Sequence, residues 1–460
     1  MSADAPTRDD GTAPSRRTAP PAPGHGALDS PAARLEVDPL LDDPRTRIVV
    51  CCGSGGVGKT TTAAALGVRA AERGRKAVVL TIDPARRLAQ SMGISELDNV
   101  PRRVKGVDES AGGELHAMML DMKRTFDEIV EAHADGERAR AILENPFYQS
   151  LSAGFAGTQE YMAMEKLGQL RTRDAWDLII VDTPPSRSAL DFLDAPKRLG
   201  SFLDGKFIRV LMAPAKAGGR AGMKFLNVGM SMMTGTLSKI MGGQLLRDVQ
   251  TFAAAMDTMF GGFRTRADAT YRLLQAPGTA FLVVAAPERD ALREAAYFVE
   301  RLAAEQMPLA GLVLNRVHGS GAAQLSAERA LAAAEALSEP SDARSENLGG
   351  DGIVDLEAGK ADSRTADGPS PAAADPSTTD DSPSAARLAA GLLRLHAERM
   401  HVLARERRTR DRFTALHPEV PVAEIAALPG DVHDLAGLRA IGERLAVQER
   451  GAEESGDGEG

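Results

Sequence analysis

Apolar residues along this chain fall into short unbroken runs separated by stretches with a helical repeat. Residues 46–52 (TRIVVCC), 76–82 (KAVVLTI), 176–181 (WDLIIV), 279–285 (TAFLVVA) and 309–314 (LAGLVL) are six or seven residues long and mostly β-branched or aliphatic. Runs of that length and composition read as strands buried on both faces rather than as helices. Residues 115–119 read as one more strand. Between the strands, 60–73, 121–144, 159–170 and 289–305 carry apolar residues at helical spacing, and Gly74 closes the first of these helices. Beyond the last strand, 384–412 reads as one long Arg-rich helix and 434–446 as a final helix. Alternating strands and helices, with strands apolar throughout, predict an α/β fold with a mostly parallel sheet flanked by helices. No run of about 18 apolar residues occurs, so no membrane-spanning helix is expected.

Charge adds a division into parts. The 460 residues carry a net charge of −9, with 43 % hydrophobic and 26 % charged residues. Residues 1–45 hold −3 together with eight prolines, 338–385 hold −8 among Ser, Pro, Gly and Asp, and 447–460 hold −4. These stretches have too little apolar surface to offset the entropy of ordering them. They are expected to be a disordered N-terminal extension, a disordered acidic insertion and a disordered acidic tail. The remainder, 46–337 with 386–446, is expected to form one domain of net charge +6. Within it, 206–266 holds nine bases, two acids and eight of the 17 methionines, and reads as a basic helical subdomain. The N-terminus lacks the apolar core of a secretory signal, and the two cysteines, Cys51 and Cys52, are adjacent. On both features the chain is expected to be cytoplasmic, free or peripheral to a membrane.

The chemistry begins at Gly53-Ser54-Gly55-Gly56-Val57-Gly58-Lys59-Thr60, a full match to G-x-x-x-x-G-K-[ST] between a predicted strand and a predicted helix. Glycines let the backbone curl around a phosphate and aim successive N–H groups at it, and the helix N-terminus adds partial positive charge. Lys59 is placed to reach the β- and γ-phosphates, and the Thr60 hydroxyl to ligate Mg²⁺. A nucleoside triphosphate with Mg²⁺ is therefore the expected ligand, and the resemblance described next implies that it is ATP.

The Gly55-Gly56-Val57-Gly58-Lys59-Thr60-Thr61 core resembles the deviant phosphate loop of the ParA/MinD/ArsA class of dimeric ATPases. Three further segments are similar to the ArsA-type family, which pairs arsenite-pump ATPases with ATPases that target tail-anchored membrane proteins. Thr81-Ile82-Asp83-Pro84-Ala85-Arg86-Arg87-Leu88 resembles its switch I. Asp182-Thr183-Pro184-Pro185-Ser186 resembles its switch II. Ala286-Pro287-Glu288, with the strand ending at Asn315, resembles its late nucleotide-binding segment. The resemblance implies a P-loop NTPase fold and a catalytic set of Asp83, Lys59 and Asp182. Asp83 would orient or deprotonate the attacking water, and Asp182 would hold the Mg²⁺ shell with Thr60 or couple hydrolysis to switch II. Asn315 would read adenine, with Pro421 and Val422 packing on it. Plainer roles stay open for each: Asp83 as a helix N-cap, Asp182 as a solvated strand end, Asn315 as a loop residue.

The chain departs from the family at two points. Ser54 stands where the family carries a lysine that reaches the partner subunit's phosphates, and Arg86-Arg87 replaces His-Asn in switch I. An arginine there could supply the missing positive charge. With no C-x-x-C and no ligand spacing among eight histidines, neither a zinc clasp nor an arsenite site is expected. Cys51 and Cys52 read as core packing. The methionine-rich segment reads as a surface for a hydrophobic client or membrane partner, as a helical cap packed on its own methionines, or as an amphipathic membrane-surface element. A DNA-binding role of the ParA kind would place bases elsewhere in the fold, so no nucleic-acid partner is expected. The leading expectation is a Mg-ATP-hydrolysing dimer that energises or regulates a membrane-associated transport or targeting process. The alternatives are a chaperone for hydrophobic membrane-protein segments, and an ATP-binding switch subunit with weak hydrolysis in a heterodimer with a related ATPase. The acidic insertion is expected to screen the basic methionine-rich surface within the same chain.

Overall fold

In the computed structural model, the described residues are 33–83, 87–95, 97–146, 148–149, 152, 158–184, 262, 265–338 and 382–446. Eight strands form one sheet: β1 (Ile48–Cys52), β2 (Lys76–Thr81), β3 (Arg102–Arg103), β4 (Glu114–Met119), β5 (Leu178–Asp182), β6 (Thr279–Ala285), β7 (Leu309–Val317) and β8 (Val422–Ala426). Their order is β3-β4-β2-β5-β1-β6-β7-β8, and every pair is parallel except β3 with β4. The described helices, in chain order, are α1 (Val37–Asp42), α2 (Lys59–Glu72), α3 (Arg87–Ser91), α4 (Met122–His133), α5 (Gly136–Leu143), α6 (Thr158–Thr172), α7 (Arg289–Ala304), α8 (Ala327–Ser338), α9 (Ser382–Leu416) and α10 (Leu435–Ala446).

The apolar runs have a direct physical reason. On β1, Ile48, Val50 and Cys52 enter one core with α4, α5, α6 and α7, whereas Val49 and Cys51 enter the other with α1, α2, α3 and α10. Both faces of a strand covered in this way must be apolar, so alternation disappears. The α/β expectation of a mostly parallel sheet with flanking helices is what the chain forms. Among the described residues, no helix is long and apolar enough to cross a membrane.

Local chemistry explains where the elements differ from the periodicity. The stretch 121–144 is two helices, because Asp135 accepts a hydrogen bond from the Arg138 N–H and restarts the chain as the N-cap of α5. Strands β3 and β8 and helices α1, α3 and α8 are not announced by the pattern. Most are short, and β8 alternates between buried and half-exposed residues. The fold also starts before residue 46, which corrects the extent of the expected N-terminal extension. Leu35, Val37 and Leu41 are buried, and the Leu35 N–H donates to the Val422 carbonyl at 3.1 Å. Asp38 takes two hydrogen bonds from Arg69 of α2, and Asp42 pairs with Arg73. Acids that looked like part of a solvated tail are partners for arginines some 31 residues on. Deleting residues 1–44 removes three buried aliphatics worth about 1.5–3 kcal/mol each. A chain starting at Arg45 is therefore expected to lose at least ~4 kcal/mol in urea denaturation relative to one starting at Ala33.

The rest of the expected extension, the methionine-rich subdomain at 206–266 apart from its last residues, nearly all of the insertion at 338–385 and the tail at 447–460 lie outside the described residues.

Candidate functional site

Parallel register brings the C-terminal ends of the central strands together. Asp182, at the end of β5, is the register partner of Cys51 on one side and of Thr81 on the other. The phosphate loop leaves β1 at the same edge and enters α2. Gly53 (φ +145°), Gly56 (φ +76°) and Gly58 (φ +96°) take backbone angles that L side chains avoid. At Gly53 and Gly58 space is also closed: an added Cβ would lie 2.1 Å from the Val284 carbonyl oxygen and 2.2 Å from the Asn315 Nδ2. The loop is thus wedged between β6 and the end of β7.

Five of the residues singled out from sequence meet here. Thr60 Oγ1 donates to Asp182 Oδ2 at 2.7 Å. Lys59 is buried, and its Nζ donates to the Ser54 carbonyl at 2.7 Å, closing the loop on itself. Asn315 Nδ2 donates to the Val57 carbonyl at 2.8 Å, so Asn315 braces the phosphate loop as well as ending β7. Asp83 follows β2, one residue past Ile82, and its N–H donates to Thr81 Oγ1 at 3.2 Å.

Thr81 is the residue that sequence reasoning missed. Its hydroxyl donates to Asp182 Oδ2 at 2.8 Å, so one carboxylate oxygen takes two hydroxyl donors. Only the sheet register could have linked residues 101 apart. The other oxygen, Asp182 Oδ1, is buried with no hydrogen-bond partner. Burial lifts the Asp182 carboxyl to about 6, against the two hydroxyl bonds and the Lys59 charge that favour ionisation. Burial also pulls Lys59 below the ordinary lysine range, opposed by Asp182. An orphaned carboxylate oxygen beside a threonine hydroxyl and a desolvated lysine is a donor set suited to Mg²⁺ and phosphate. Asp182 is completely buried in this edge, so the solvated-strand-end reading of it fails. Cys51 and Cys52 are fully buried in the two cores, and burial holds the Cys52 thiol up at about 12. They pack, as expected.

Pro421 and Val422 are corrected. Val422 opens β8 as the partner of Leu312, and the Pro421 carbonyl accepts from the Leu312 N–H at 2.8 Å. Asn315 instead pairs with Ile425, three residues further along. At about 3.3 Å per residue, Val422 lies roughly 10 Å from the edge that carries Asn315 and the phosphate loop. The segment at the correct edge follows β8, where the Ala427 N–H reaches the Val317 carbonyl at 2.8 Å and Leu428 packs on the α2 side of the core. Ser54 sits half-exposed in the loop. Arg86 lies outside the described residues, as does the Arg87 side chain, so the compensating arginine has no described position. Pro185 and Ser186 are outside them too. Among the described residues there is no cluster of three or more His, Cys, Asp or Glu able to hold a metal.

Comparison with known proteins adds a family. The sequence profile of a family described as anion-transporting ATPase matches residues 46–329. ATPase GET3 of Podospora anserina is 26 % identical over 308 residues, covering 65 % of this chain and 83 % of that protein. ATPase ASNA1 homolog 2 of Paramecium tetraurelia is 23 % identical over 286 residues, covering 60 % of this chain and 78 % of its own length. A putative arsenical pump-driving ATPase of Halobacterium salinarum is 31 % identical over 202 residues, and the match spans 29 % of that longer protein.

Proposed function

The chain belongs to the anion-transporting ATPase family and is an ATPase; from that premise we propose that it is a dimeric Mg-ATP-hydrolysing machine that drives or regulates a membrane-associated transport or targeting process. The observation that carries this reading is the Thr60–Asp182–Thr81 cluster with its orphaned Asp182 Oδ1, set beside the phosphate loop. Mg²⁺ brought in with ATP would be held by the Thr60 hydroxyl and Asp182, and supplies charge neutralisation for the β,γ-phosphate oxygens.

The protein's own groups then have distinct tasks. Loop N–H groups and the N-terminus of α2 bind the phosphates. Lys59, released from the Ser54 carbonyl, regains a counter-charge in the γ-phosphate and so recovers the stabilisation that burial denies it. Asp83 orients the attacking water and accepts its proton as the water oxygen bonds to the γ-phosphorus. The bond to the bridging oxygen breaks, leaving ADP and inorganic phosphate. Asn315 holds the base end of the site through the same bond that braces the loop, and Leu428 with Pro429 replaces Pro421 and Val422 as the base-packing pair. A hydrophobic client or membrane protein is the partner implied by the resemblance to targeting ATPases, with the methionine-rich segment as its surface.

The second reading, an ATP-binding switch that hydrolyses poorly without a related partner, is favoured by one residue. Ser54 offers only its carbonyl, to Lys59, where a lysine side chain would reach across a dimer. Ser54→Lys decides between them. If the chain is self-sufficient, ATP turnover of purified wild type is measurable and Ser54→Lys changes it by less than about threefold. A wild-type rate near background that rises about tenfold or more in Ser54→Lys, a difference of about 1.4 kcal/mol in barrier, would establish the switch instead.

A further inference from the structure

The long helix α9 has two unlike faces. Ala390 and Ala397 are buried on the side that packs against α8. On the opposite side, Leu388, Leu392 and Leu395 are 67, 58 and 62 % exposed, and Val402 is 36 % exposed. With Arg399, these residues are spaced four, three, four and three along the helix. That is the a/d seam of a helix awaiting an apolar strip, with one charged residue within it. The seam is about 21 Å long at 1.5 Å per residue. It is also basic: the seam and its two flanks carry Arg387, Arg394, Arg399 and Arg405 against Glu398, a net charge of +3.

A second copy of this helix fits poorly. Two seams would oppose net charges of +3 each and place Arg399 near its own counterpart. The complementary sequence lies next door. Residues 339–381, which join α8 to α9, hold 11 acids and three bases. They contain only four large aliphatic side chains, and Ile353, Val354 and Leu356 are three of them, within the acidic run 351–357 (DGIVDLE). Both ends of this connection are fixed beside the seam. It leaves α8 at Ser338, whose hydroxyl accepts a 3.0 Å hydrogen bond from Arg394, between Leu392 and Leu395 in sequence, and it returns at the first turn of α9. Thirteen residues from Ser338 to Asp351 can reach about 40 Å when extended, enough to lay 351–357 anywhere on the stripe.

We infer that the exposed leucine stripe of α9 is the docking surface for the chain's own acidic-aliphatic segment 351–357. Aliphatic side chains of the segment cover the leucines while its carboxylates face the flanking arginines. The acidic insertion is then a tethered ligand of the helix it precedes rather than a screen for the methionine-rich surface. Its affinity need only be modest, because the tether holds it at an effective concentration of about a millimolar.

The test uses the full chain, in which both natural cysteines are buried. Val354→Cys with Leu392→Cys is compared with Ser370→Cys with Leu392→Cys under mild oxidation in dilute solution. On an undirected tether the two pairs would react at similar rates, because position 354 is 16 residues from Ser338, which sits beside Arg394, and position 370 is 12 residues from the start of α9. Docking instead makes the 354 pair close an intramolecular disulfide about tenfold faster than the 370 pair, and adding Leu388→Asp with Leu395→Asp removes that advantage. Those two leucines are exposed, so melting temperature is expected to be unchanged, which confirms folding. Equal rates for the two pairs would overturn the inference. So would disulfide-linked dimers as the main product, which would give the stripe to a second copy.

Discussion

Asp182→Asn is expected to lower ATP turnover by about 10²-fold or more and, in the same protein, to raise stability in the absence of nucleotide. The first effect follows from removing a charge at the Mg²⁺ position, where several kcal/mol of transition-state stabilisation originate. The second follows from burial. The native carboxyl sits near 6 and the ordinary value is 3.8. Between those pH values the native state holds a proton that the unfolded chain has lost, so wild-type stability falls as pH rises through that window and is level above it. Two pH units amount to roughly 3 kcal/mol as an upper bound. Asparagine cannot ionise, keeps a carbonyl for the Thr60 and Thr81 hydroxyls, and escapes that loss. Urea denaturation at pH 4 and pH 7.5 checks the sign: the advantage of Asp182→Asn over wild type should grow with pH. Parallel curves at both pH values would mean that Asp182 is solvated enough to ionise freely, and the proposed Mg²⁺ position would lose its physical basis. Saturating Mg-ATP should reverse the order, because only the wild-type carboxylate gains a counter-charge on binding.

What could be read from the residues was whatever is local in sequence. The phosphate loop, its strand and its helix are contiguous, so spacing alone located Lys59 and Thr60. The ends of β2 and β5 were legible because an aspartate closing an apolar run is conspicuous. Thr81 was not, since nothing marks a threonine at a strand end until parallel register sets it against Asp182. Pro421 and Val422 were misplaced for the same reason in reverse. The final strand is short and half-exposed, so its two ends could not be told apart without knowing that Asn315 pairs with Ile425. Helix α1 was hidden by composition, because Asp38 and Asp42 read as tail acids until Arg69 and Arg73 are seen across from them. In each case the missing information is a partner far along the chain.

Gly53→Ala is expected to be the most damaging single-methyl change in the phosphate loop, ahead of Gly56→Ala by about 2–3 kcal/mol in urea denaturation, from backbone strain plus overpacking. Both positions have positive φ, +145° and +76°, so both variants bear backbone strain of about 1–3 kcal/mol. They differ in what the new methyl meets. At Gly56 nothing lies within 4 Å, whereas at Gly53 the Val284 carbonyl oxygen would be 2.1 Å away and its carbonyl carbon 3.1 Å. Those atoms belong to β6, which is hydrogen-bonded on both sides by β1 and β7 and cannot withdraw without breaking the sheet. The loop must move instead, and with it the Ser54 carbonyl that holds Lys59. ATP binding in Gly53→Ala should therefore fall together with stability, while Gly56→Ala loses only the stability that its backbone strain costs. Gly58→Ala separates the remaining term. Its methyl would meet the Asn315 side-chain amide at 2.2 Å, a group that can rotate away at the expense of its bond to the Val57 carbonyl. If Asn315 serves the base as well as the loop, Gly58→Ala should weaken ATP more than inorganic triphosphate, and equal weakening of the two would remove Asn315 from the base site.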